Sequence, residues 1–82
     1  MSGETAILLL TKRLSAEEVQ RLYEAEWQKA ALIYPRLIFE KIDDFQVEMG
    51  FHFKSRSFTN IEQYKPIVRM AIQKVHPDCQ VR

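Results

Sequence analysis

One short run gathers metal-type and nucleophile-type side chains: "HPDC", where His76, Asp78 and Cys79 fall within four residues. An imidazole, a carboxylate and a thiolate at that spacing could begin a zinc site, which needs about four ligands. Further ligands would have to come from elsewhere, and His52 is the only other imidazole. We therefore expect a loose C-terminal segment and no metal. Cys79 could act as a nucleophile only beside a base in a pocket, and the sequence marks neither. Glu26 is the second candidate, because it interrupts an apolar stripe of Val19, Leu22, Tyr23, Ala30 and Ile33. A carboxylate buried there would carry the shifted pKa typical of active sites. We expect it instead to reach the edge of the stripe and pair with a neighbour. No G-x-x-x-x-G-K-[ST], G-x-G-x-x-G or G-x-S-x-G motif occurs, and two glycines could hardly build a phosphate loop. The expectation is a non-enzymatic protein without a cofactor.

The elements that must position these groups follow from size and pattern. Eighty-two residues, 46% of them hydrophobic, make one globular domain spanning 1–82. A chain of this length buries only about 60–65% of its unfolded surface. One cysteine cannot form an internal disulfide, so a reducing cytoplasm is expected. The longest apolar run, Ala6 to Leu10, is too short to span a bilayer and lacks the flanks of a secretory signal.

"TAILLL" reads as a strand buried on both faces. "LSAEEVQRLYEAEWQKAALIYP" reads as a helix, with Ser15 and Glu18 forming a capping box and Pro35 ending it. "RLIFEKI" and "FQVEMGFHF" flank Asp43-Asp44 and read as a hairpin. A second helix carries Ile61, Tyr64, Val68, Ala71, Ile72 and Val75 on one face. Asn60 could cap it, with a kink or a true start near Pro66. A short extended piece, "QVR", closes the chain. The order β-α-β-β-α with a possible last strand is that of a split βαβ, or ferredoxin-like, α+β sandwich.

Three resemblances accompany this topology. "GFHF", Gly50 to Phe53, looks like the middle of the aromatic signature of the RNA-recognition-motif family. That resemblance implies that Phe51 and Phe53 stack on bases from an open sheet face. Strand parity predicts otherwise. Phe45, Val47, Met49, Phe51 and Phe53 share one face, and the opposite set of Gln46, Glu48, Gly50, His52 and Lys54 could not fill a core. We expect a core strand, with His52 on the outer face. "LSAEEVQRL" running to "YP", Leu14 to Pro35, resembles the first helix of the DinI-like regulators of the DNA-damage response. Their acidic C-terminal helix is replaced here by one bearing Lys65, Arg69 and Lys74. This resemblance, like the one to the dimeric α+β barrel proteins that share the fold class, is topological and identifies no family.

Charge and exposed apolar surface supply the remaining expectations. Residues 1–48 hold nine acidic and six basic side chains, and residues 49–82 hold two and six, giving −3 and +4 around a total of +1. The topology collects Lys29, Arg36, Lys54, Arg56 and Lys65 at one end, beside the first turn of the second helix, where an anion or acidic partner would be favoured. Lys12 and Arg13 join Asp43 and Asp44 at the other. Two helices cover only one sheet face, so an apolar set must point out of the other. Ile7, Leu9, Leu37, Phe39 and His52 are the expected interface. The leading expectation is an interaction or regulatory module that binds a protein partner or forms a homodimer through this face. The alternatives are a nucleic-acid binder using the basic end and a small dimeric α+β barrel enzyme; no membrane contact is expected.

Overall fold

The structure, a computed structural model, describes residues 4–52 and 60–82. Phe53, Lys54 and Arg56 lie outside the described residues. The elements run β1 (Thr5–Leu9), α1 (Ala16–Lys29), β2 (Leu37–Asp43), β3 (Gln46–Phe51), a 3-10 turn (Ile61–Tyr64) and α2 (Lys65–Val75). The strands form an antiparallel sheet in the order β1-β3-β2. The chain is thus a small α+β protein with both helices on one sheet face. Among the described residues no helix is long and apolar enough to cross a membrane.

Local chemistry explains where each element starts and stops. Ser15 Oγ accepts the Glu18 N–H at 3.0 Å, capping α1. The Glu18 carboxylate does not turn back to Ser15 but is gripped by Arg21 and His76. α1 ends at Lys29, short of the expected stop at Pro35. Ala30 leaves helical geometry, and the N–H groups of Ile33 and Tyr34 both donate to its carbonyl in a compact turn. Proline disfavours helix at the residue before it, so Tyr34 cannot extend α1. Tyr23 Oη donates to the Pro35 carbonyl at 2.6 Å and pins the descending chain against the helix. As a result Ile33 leaves the expected stripe and stands exposed.

The hairpin turn sits one residue later than expected, at Asp44-Phe45. Asp43 accepts the Phe45 N–H at 2.8 Å, a side-chain-stabilised turn, and a register shift falls between Lys41 and Asp43. At the second helix, Asn60 caps the 3-10 turn and Pro66 falls at the first turn of α2. Proline is tolerated there because that N–H has no helical partner in any case.

Strand parity decides the core. Ala6, Leu8 and Leu10, Leu37 and Phe39, and Val47 and Met49 point to the helices. They meet Val19, Leu22 and Tyr23 of α1, and Ile61, Val68, Ala71 and Ile72 of the second helical segment. The expectation that β1 is buried on both faces is corrected, because Leu9 is 48% exposed and the strand alternates. Phe51 packs on the core and meets Tyr64 edge to face, with ring centres 6.0 Å apart. It is therefore no base-stacking platform. The C-terminal segment returns along the free edge of β1. Leu9 and Arg82 exchange backbone hydrogen bonds of 2.8 and 2.9 Å, and Leu10 bridges Val81. Cys79 and Val81 thereby join the core.

Candidate interaction surface

The face of the sheet turned away from the helices is built in rows by the register. Thr5, Gly50 and Ile38 form one row, and Ile7, Glu48 and Glu40 the next. Leu9 and Gln46 form the third, ending near Ile42 at the register shift. Arg82 lies opposite Leu9 in a two-bond antiparallel pair, so it shares this face. Leu9, Ile38 and Ile42 are all substantially exposed, and Ile7 is half-buried. This places Ile7 and Leu9 of the expected interface where they were sought. His52 is exposed just beyond β3, its N–H donating to the Arg36 carbonyl.

Leu37 and Phe39 are not on this face. They are buried, and Phe39 meets Tyr23 edge to face at 5.8 Å between ring centres. Gln20 of α1 lies at the edge of β2, donating to the Leu37 carbonyl at 2.8 Å and accepting the Phe39 N–H at 3.2 Å. Its amide thus satisfies one rung of the β2 edge. The outward residues of β2 are Ile38, Glu40 and Ile42.

Glu40 and Glu48 face one another across β2 and β3 at the middle of this surface. Neither makes a hydrogen bond or ion pair with any described residue. Like charges directly opposite on adjacent strands are destabilising. They stand out against the other acidic groups, which are mostly paired.

The basic end is differently arranged. Lys29 pairs with Glu26 at 3.6 Å, Arg36 with Glu24 at 3.1 Å and Lys65 with Glu62 at 3.2 Å. Arg36 also lies over the Trp27 ring at 4.6 Å. The first N–H of the 3-10 turn, at Ile61, donates to the Glu4 carboxylate at 2.7 Å, so the chain's own anion occupies that position. At the opposite end Arg13 and Lys41 pair with Asp44, as the topology predicted for Arg13.

Glu26 is buried, 8% exposed, and accepts from Lys74 at 2.8 Å with Lys29 close by. The hydrogen bond from Lys74 holds its carboxyl below the usual range and raises the Lys74 ammonium. It is a paired structural group. In the "HPDC" segment, His76 contacts Lys12 and Glu18, Asp78 pairs with Lys12, and the Cys79 thiol is buried. Among the described residues no group of three or more His, Cys, Asp or Glu could hold a metal ion.

Sequence reasoning missed several features: Leu32 and Ile33 exposed at the turn after α1, Phe45 and Val75 exposed where a core face was expected, and the Glu40–Glu48 pair. Sequence parity alone would have placed Ile38, Glu40 and Ile42 together, but which parity of β2 faces outward depended on which pair packs beneath α1. Comparison with family models, curated proteins and solved structures found no match.

Proposed function

We propose that this protein is a non-enzymatic interaction module, built as a ferredoxin-like split βαβ sandwich, that docks a protein partner on its open sheet face. The observation that carries this reading is the set Ile7, Leu9, Ile38 and Ile42, which faces away from both helices on a rigid antiparallel platform. Apolar side chains gathered on one open face mark contact sites more often than solvent surfaces. The C-terminal segment running beside β1 supports the sandwich assignment, since it occupies the place of a fourth strand. The basic end has less to offer a nucleic acid, because Lys29, Arg36 and Lys65 already engage carboxylates.

The test uses Leu9→Ser combined with Ile38→Ser. Both side chains are outward, so the variant should stay folded and lose far less stability than a core truncation. Binding of protein partners, followed by quantitative capture of interacting proteins, should be lost relative to wild type. Identical binding by wild type and variant would overturn the proposal.

A further inference from the structure

We infer that the open sheet face is reserved for a partner presenting a lysine or arginine between aliphatic side chains, and that the Glu40–Glu48 pair keeps it from closing on a second copy of this chain. This rests on the docking reading above and specifies the chemistry of the partner. Charge complementarity is the reason. The two carboxylates lie side by side on adjacent strands, bracketed by Ile7 on the same row and by Ile38, Leu9 and Ile42 on the rows beside it. Neither has a partner among the described residues, although most of the other acidic side chains have found one.

Covering such a surface with purely aliphatic groups would strip water from two unpaired carboxylates. Covering it with a second copy is worse. A two-fold axis lying in the interface and centred on β3, either along the strands or across them, sets Glu48 against its own symmetry mate. A single cation above the pair removes both penalties, because it can donate hydrogen bonds to both carboxylates while its neighbours fill the aliphatic rows. Arg82 does not supply that cation. It stands beyond β1, on the far side of Leu9 from the acidic pair. The pair also costs the free protein stability. A local rule broken on an otherwise well-matched sheet is where a functional contact is to be sought.

The probes are two cyclised β-hairpin peptides showing Ile-Lys-Ile or Ile-Glu-Ile on one face, titrated into the labelled full chain and followed by amide chemical shifts. The lysine hairpin should bind at least about tenfold more tightly than the glutamate one, with shifts at Ile7, Leu9, Ile38 and Glu48. In Glu40→Gln with Glu48→Gln the two affinities should converge to within about twofold. By sedimentation equilibrium the wild type should be monomeric at neutral pH, and the double glutamine variant should self-associate. Equal affinity of both hairpins at the open face would overturn the cationic partner while leaving the docking reading intact. Shifts confined to another surface, or none with either hairpin, would overturn both. A stable wild-type dimer with Glu48 at its interface would overturn the exclusion of a second copy.

Discussion

Leu37 and Ile38 are neighbours in the chain, yet the structure assigns them opposite fates, and truncating each in turn tests the whole arrangement. Leu37 is 2% exposed, whereas Ile38 is 39% exposed on the open face. Leu37→Ala removes buried carbon from a packed site and leaves a cavity, costing about 3 kcal/mol. The backbone bonds to Gln20 are untouched by the substitution, so they offset none of that loss. A domain of this size has about 4–12 kcal/mol of total stability, so the variant should still fold. Its melting temperature should fall by roughly 12–24 °C. Ile38→Ala removes a side chain already in partial contact with water and should cost less than about 1 kcal/mol. Urea unfolding gives both values. Trp27 is the single tryptophan and reports from α1, and far-ultraviolet circular dichroism provides an independent signal. Equal losses for the two variants, or a greater loss for Ile38→Ala, would show that the parity of β2 is misassigned. The open face described above would then fall with it.

Two further outcomes follow from the ion pairs and caps. The folded pKa of Glu26 lies below its ordinary value, so its contribution is complete above about pH 4.5 and disappears as the pH falls through the lowered value. Glu26→Gln should flatten the acid limb of a stability–pH curve and cost about 1 kcal/mol at neutral pH, a modest figure because the partner lysines are solvent-exposed. Glu4→Ala removes the acceptor of the Ile61 N–H and should cost about 1 kcal/mol, with hydrogen exchange accelerating first at Ile61. An unchanged Ile61 amide would show that Glu4 does not cap this segment.

Much of the fold was legible in the residues because it is local. Ser15 before Ala16, Asn60 before Ile61 and the aspartates of the hairpin announce element ends through hydrogen bonds spanning two or three residues. The alternation of Val47, Met49 and Phe51 with Glu48 and Gly50 could be resolved without coordinates, since only one parity is apolar enough to fill a core. α1 was legible in its beginning but not its end, because no residue from Ala30 to Tyr34 breaks a helix before Pro35. The chain beyond the helix is held by the bond from Tyr23 to the Pro35 carbonyl, twelve residues away.

Where both parities of a strand are apolar, periodicity is silent and tertiary structure decides. β1 offers Ala6, Leu8 and Leu10 on one side and Ile7 and Leu9 on the other, and β2 offers Leu37 and Phe39 against Ile38 and Ile42. Of the residues expected to face away from the helices, Ile7 and Leu9 of β1 do so, whereas Leu37 and Phe39 of β2 are buried. No local signal separates the two sides of β2: Leu37 and Phe39 are the pair that packs beneath α1, whose Gln20 also reaches the edge of β2. The pairing of β2 with β3 brings Glu40 opposite Glu48. Their proximity is a product of register, and register in an antiparallel pair is set by the turn at Asp44-Phe45 together with the burial of the opposite face. The sequence by itself therefore determined which segments form and where the core strand of the hairpin faces. Which aliphatic side chains reach solvent, and which charges accompany them there, was decided only when α1 closed over β2.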